Sequence, residues 1–134
     1  MQQWQGSLRV CKECRRQVDI EPQDRQLIEQ ILSEINNPDV TVPQNIEKVW
    51  KAGGEGCTHC HDGYKGRVGL FEAIIVDESI DQVLRTHPSE AEIRNAAKPQ
   101  KILSMQQDGV LKILRGETTL EELRRMIDLK TWER

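Results

Sequence analysis

Apolar residues at helical spacing run through most of this chain, interrupted once by a continuous apolar stretch. From Asp24 onward, Leu27, Ile28, Ile31, Leu32 and Ile35 form one stripe, with Pro22 allowed in a first turn and Asn36-Asn37-Pro38 closing the segment. Pro38 and Pro43 make Asp39–Gln44 an extended connector. A short helix is predicted over Asn45–Lys51, capped by Asn45, with Ile46, Val49 and Trp50 on one side and Gly53-Gly54 at its end. The stretch Val68–Val76, rich in β-branched and large apolar residues, predicts a strand whose partner lies near Leu8–Val10, and Asp77 ends it.

Beyond Asp77 the pattern is helical. Ser79 is the predicted cap of a short helix with Ile80, Val83 and Leu84 inward, closed by His87-Pro88. Ser89-Glu90-Ala91-Glu92 is a capping box, where a hydroxyl and a carboxylate each satisfy a free backbone N–H, and it opens a helix through Ile93 and Ala97. Pro99 breaks the chain. Ile102–Arg115 carries Val110, Leu111 and Leu114 on one stripe, with Gly109 in its middle and Gly116 after its end. Thr119–Glu122 is a second capping box, leading to a last helix with Leu120, Leu123, Met126 and Ile127 inward and Arg124, Arg125 and Lys130 near its negative end.

Composition narrows what such elements can build. Only 37% of the 134 residues are apolar and 4% aromatic, so the core is thin and a metal staple would count for much. No run approaches a membrane span of about 20 apolar residues, and a net charge of −3 with interspersed signs gives no footprint for nucleic acid. Met1–Gly6 shows no period and reads as a tail, of native or cloning origin.

All four cysteines fall in two Cys-x-x-Cys pairs, Cys11/Cys14 and Cys57/Cys60. A two-residue spacer turns both sulfurs of a pair toward one point, and two such knuckles face to face supply the four thiolates of a closed structural zinc site. The long interval between the pairs must then return on itself. Lys12, Arg15, Arg16, Lys65 and Arg67 flank the pairs, where positive charge favours thiolate. His59 and His61 compete poorly as ligands once four thiolates are available. Two disulfides or a redox Cys-x-x-Cys are the rival readings; neither pair has the strand-to-helix setting of a redox motif, and no secretory signal precedes them.

No phosphate-cradling Gly-x-x-x-x-Gly-Lys-Ser/Thr, no Gly-x-Ser-x-Gly and no His-Glu-x-x-His is present, and the acidic pairs Glu90/Glu92 and Glu121/Glu122 sit at helix starts where they serve the dipole. The chain by itself therefore reads as non-catalytic. The alternatives are a stand-alone zinc adaptor for protein or nucleic acid, and a thiol oxidoreductase. A chaperone zinc domain fails because His61-Asp62-Gly63 after Cys60 breaks its repeat.

Three stretches in order resemble the C-terminal part of the type II secretion and type IV pilus assembly ATPases: the tetracysteine pairs, then Gly63-Tyr64-Lys65-Gly66-Arg67-Val68-Gly69-Leu70-Phe71-Glu72, then Asp108-Gly109 through Arg115-Gly116 and Thr118–Glu122. The family's nucleotide-binding loop has no counterpart here, and the Asp19–Gln44 interval departs from its pattern in length. The resemblance implies a zinc-binding appendage of a hexameric cytoplasmic motor that works against the inner membrane beside its platform proteins. It implies contact with the ATPase core and with those platform proteins, no nucleic acid, no membrane insertion, and a module that is monomeric when isolated. The expected fold is α+β, mostly α: a small zinc-stabilised domain with one or two short strands and about five to six helices. The expected division is a tail at 1–7, a tetracysteine zinc-binding subdomain at 8–76 and a helical subdomain at 77–134. The segment Ile20–Trp50, held between the two pairs, is the expected contact surface.

Overall fold

A computed structural model describes residues 2–127, the first four of these by their backbone only. In chain order the elements are β1 (Gln2–Val10), β2 (Arg16–Asp19), α1 (Pro22–Ser33), β3 (Lys48–Lys51), β4 (Tyr64–Ala73), α2 (Glu78–Leu84), α3 (Glu90–Ala97), a 3₁₀ turn over Lys98–Gln100, α4 (Met105–Leu114) and α5 (Leu120–Met126). The class is α+β, as expected. Lys130, assigned by sequence to the last helix, lies outside the described residues.

Two antiparallel ribbons replace the expected single strand pair. β1 pairs with β4 in a register that sets Gln2 opposite Ala73 and Ser7 opposite Val68, with an irregularity between Leu8 and Val10. The strand partner of Val68–Val76 was thus foreseen near Leu8–Val10, but pairing extends back through residues without any apolar period. β2 pairs with β3, Arg16 opposite Lys51 and Asp19 opposite Lys48. This corrects the helix predicted over Asn45–Lys51: Asn45 takes φ 54°, a left-handed turn rather than a helix cap, and the chain leaves it extended. Ile46, Val49 and Trp50 fit a helical stripe on paper. Lys48-Val49-Trp50-Lys51 has no strand alternation either, but four residues are too few to favour a helix over an available strand partner, and pairing with β2 buries Val49.

Capping explains most helix starts. Ser89 forms its box with Glu92, and Ser104 forms an unforeseen one with Gln107 that starts α4 three residues later than expected. α2 is capped by Asp77, whose carboxylate accepts from the Ile80 N–H, and not by Ser79. Thr119 caps α5, but Glu122 does not reach back to it; its carboxylate is drawn away to the Leu8 N–H and Arg125. Gly116 ends α4 at φ 77°, the left-handed conformation that favours glycine there.

One hydrophobic cluster takes residues from both sides of position 77. Ile20, Leu27, Ile28, Ile31, Leu32, Ile46 and Val49 from the first half pack with Leu70, and with Met105, Val110, Leu111, Ile113, Leu120 and Leu123 from the second. The segment Ile20–Trp50 does not stand out from the core as a surface; its apolar face is a large part of that core. Burying each such side chain contributes about 1.5–3 kcal/mol, which accounts for why an amphipathic α1 lies against α4. Among the described residues, the one glycine inside a helix, Gly109, sits where α4 meets α5. A Cβ at Gly109 would lie 2.4 Å from a Leu123 methyl, so the two helices approach as they do because position 109 has no side chain.

Candidate metal centre

Cys11 closes β1, and its N–H donates to Gly63 O at 2.8 Å, which fixes the first knuckle against the second. Arg15 N–H returns to Cys11 O at 3.0 Å and completes the turn that carries Cys14. In the second knuckle, Cys57 N–H donates to Cys60 Sγ at 3.3 Å and His59 N–H to Cys57 Sγ at 3.4 Å. Glycines make room for these turns. A Cβ at Gly53 would lie 2.2 Å from Cys14 O, and at Gly56, which holds φ 89°, a Cβ would lie 2.8 Å from Gly63 N and 3.2 Å from Cys60 Sγ.

The four Sγ atoms lie within 4.8 Å of one another. Three separations are 3.8 Å for Cys11/Cys57, 3.7 Å for Cys14/Cys60 and 3.6 Å for Cys57/Cys60. A metal with ligand bonds of about 2.3 Å places tetrahedrally arranged sulfurs about 3.8 Å apart, so the cage fits a thiolate-bound ion of zinc size. The four cysteines are not joined as disulfides. Neither His59 nor His61 enters the group among the described residues; His61 instead faces Asp62 at 3.5 Å.

The thiols ionise unequally. Burial pushes the Cys11 thiol up, but the backbone N–H groups of Cys14 and Glu13 and the adjoining thiols outweigh it and hold it at about 7. Cys14 is pushed up to about 12 by burial and by Cys60, Cys57 and Cys11 around it. At Cys57 the His59 N–H lowers the thiol, yet burial and the thiols of Cys60 and Cys11 together prevail and raise it. Sulfurs this close do not all become thiolate without a cation between them, which is the condition a divalent metal meets.

The cations foreseen beside the pairs divide their tasks. Arg15 turns away from the sulfurs: its guanidinium lies 4.0 Å over the Trp50 ring and donates to Gly116 O at 2.6 Å. Arg9, Lys12 and Lys65, with His59 and Glu13, line a cleft beside Cys11.

Sequence reasoning overlooked the element that braces the first knuckle, the turn from Gly116 to Glu122. Thr118 and Thr119 are fully buried. Thr118 Oγ1 donates to Leu8 O at 2.9 Å, so Ser7 Oγ, also 2.9 Å away, donates to Thr118. Val10 N–H donates to Glu117 O at 3.0 Å, and Leu8 N–H to Glu122 Oε1 at 3.3 Å. Tyr64 Oη and Thr119 Oγ1 lie 2.9 Å apart. Burial raises the Tyr64 phenol, with the carboxylates of Glu121 and Glu122 adding to it. Burial also opposes charge on Glu122, but the Arg125 guanidinium and the Leu8 N–H overcome it and hold this carboxyl below its ordinary value. The signal for this brace was the pair Thr118-Thr119, of which Thr119 was read as a cap and Thr118 was given no structural role.

Residues 5–125 match the family described as type II/IV secretion system protein. The chain is 31% identical over 121 residues to the type IV pilus assembly ATPase TfpB of Acinetobacter baylyi, covering 90% of this chain and 19% of that protein. It is 30% identical over 118 residues to the type II secretion system protein E of Aeromonas hydrophila, covering 87% and 21%. Against the type IV pilus assembly ATPase PilB of Thermus thermophilus it is 33% identical over 116 residues, covering 86% and 12%. The chain spans about a fifth or less of the length of these curated relatives.

Proposed function

The chain belongs to the type II/IV secretion system protein family, and from that premise we propose that it is the non-catalytic zinc-binding module of a secretion or pilus assembly ATPase. Cys11, Cys14, Cys57 and Cys60 hold one zinc ion, which serves as a structural cross-link between the two knuckles. The observation that carries this reading is the cage itself, four sulfurs within 4.8 Å whose edges fit a tetrahedral thiolate site. The zinc ties the end of β1 to the knuckle that precedes β4, and the Gly116–Glu122 turn ties the same region to α4 and α5. A module stiffened in this way holds its surface residues in fixed orientation at low entropic cost, which suits transmission of an ATPase's domain movement to a neighbouring domain or an inner-membrane platform protein.

This chain alone carries no ATP hydrolysis, because it lacks a phosphate-cradling loop and the Lys-Ser/Thr that would hold phosphate and magnesium. No helix among the described residues is long and apolar enough to cross a membrane, and the module works peripherally, at the cytoplasmic face, within a hexameric parent. Metal analysis of the purified chain tests the centre. One zinc per chain, retained through dialysis and released by a strong chelator with exposure of four thiols, is the expected result. Absence of metal after expression in zinc-replete medium, with all four thiols freely titratable, would overturn it.

A further inference from the structure

Along β4 the two faces of the β1–β4 ribbon differ among the described residues. Val68, Leu70 and Glu72 point inward and are buried. On the other face of β4, Lys65, Arg67, Phe71 and Ala73 are exposed, and Ile75 and Val76 continue beyond it. Phe71, Ile75 and Val76 are the exposed large apolar residues of the described chain, at 44%, 71% and 49%. The outer face is therefore cationic toward the metal centre and apolar toward its far end.

That face is rigid and its free edge is closed. Phe71 N–H donates to Asp108 Oδ2 at 2.9 Å, and Lys112 Nζ donates to Gly69 O at 2.5 Å. Further along, Ile75 N–H donates to Gln100 Oε1 at 2.9 Å while Gln100 Nε2 donates to Ile75 O at 2.8 Å. Side chains from α4 and the 3₁₀ turn thus occupy the backbone groups that an added strand would need. The Phe71 ring is braced as well, lying over Gly69 and 5.1 Å from Lys112 Nζ. A partner must lie across the face and cannot extend the sheet.

We propose that the outer face of the β1–β4 ribbon is a docking surface for an amphipathic segment of another polypeptide, with acidic residues over Lys65 and Arg67 and apolar residues over Phe71, Ala73 and Ile75. Charge complementarity selects this occupant. Among the described residues neither Lys65 nor Arg67 forms an ion pair; the Arg67 guanidinium donates to Gly6 O at 3.3 Å and its charge is felt by Glu122. An anionic bilayer fits less well, because Asp77 and Glu78 follow the apolar end and would face the same lipid charge. The ribbon is narrow, so contact here falls in the weak, transient class unless a larger assembly adds to it. The docking face does not depend on which metal the cysteines hold.

The test uses this chain with a synthetic amphipathic helical peptide bearing glutamates at one end, the same peptide with lysines in their place, and vesicles of phosphatidylcholine containing phosphatidylglycerol. Saturable binding of the glutamate peptide is expected, with amide shifts confined to residues 64–76, and about tenfold weaker binding of the lysine peptide. Arg67→Glu should reverse the preference between the two peptides, and Phe71→Ser should weaken both about tenfold in a chain that remains folded. Lys65→Glu replaces Arg67→Glu if that variant does not fold. Equal affinity for the two peptides, no saturable binding, binding to vesicles alone, or self-association that covers residues 64–76 would each overturn the proposal.

Discussion

Ser7 Oγ and Thr118 Oγ1 lie 2.9 Å apart at zero exposure, 111 positions apart in the chain. The Thr118 hydroxyl has a single proton and gives it to Leu8 O, so it accepts from Ser7. Thr118→Val leaves both the Ser7 hydroxyl and the Leu8 carbonyl unpartnered in the interior. The expected cost is about 1–3 kcal/mol for each group left so. Ser7→Ala combined with Thr118→Val should cost less than the two single changes added together, measured by denaturant unfolding in a double-mutant cycle. Additive costs would mean that the pair does not interact.

Cys57→Ser is expected to lower zinc content and the unfolding temperature together, because the binding energy of a structural metal is also folding energy. Hydrogen exchange should rise most in residues 8–20 and 48–66, which the two knuckles hold. Full zinc occupancy in the variant would sink the assignment of Cys57 as a ligand.

Gly53→Ala isolates the steric part of the metal site. Its Cβ would fall 2.2 Å from Cys14 O, a backbone atom that cannot swing aside. Gly53 is not in the left-handed region, so conformational strain does not confuse the result. Displacing Cys14 should weaken zinc binding about 10–100-fold, as loss of supporting contacts does at other metal sites. A competition titration against a chromophoric chelator reads this directly.

Glu122 makes a pH-dependent contribution. Its carboxyl is held below the ordinary value in the folded chain, chiefly because Arg125 and the Leu8 N–H outweigh the opposing effect of burial. The stabilisation is complete above the unfolded value of about 4.3 and is lost as pH falls through the lower folded value. Glu122→Gln should therefore be less stable than the unmutated chain at neutral pH, and the gap should narrow below about pH 4. Chemical unfolding of both proteins across that range measures it; a gap that stays constant would mean the charge of Glu122 contributes nothing.

Legibility in the sequence followed the range of the physics. Stripes such as Leu27, Ile28, Ile31 and Leu32, the Ser89 box and the Gly116 stop rest on contacts within a few residues, and they read correctly. The two Cys-x-x-Cys pairs could be associated across a long interval because one chemistry demands four ligands at one point. β2 and β3 could not be read, since Arg16–Asp19 is short and polar and exists through its pairing with Lys48–Lys51. The same holds for the first residues of β1, whose order comes from β4. Arg15 was foreseen as a cation beside the thiolates, and nothing local reveals that Trp50 and Gly116 O draw it away.

The bonds from Val10 N–H to Glu117 O and from Thr118 to Leu8 O join β1 to a turn made more than a hundred residues later, so this contact has to wait for synthesis to reach it. On a ribosome adding about 5–20 residues per second, β1 emerges several seconds before residues 117–122 exist to receive it. β4 and the second cysteine pair arrive midway, which lets the ribbon and the knuckles form first, with the backbone groups of Leu8 and Val10 still solvated. The native clasp is then the later event, available only to a chain that has been translated past residue 122. A transcript truncated ahead of Thr118 would yield a product with all four cysteines but without that closure, and such a product should be an early substrate for quality-control proteases.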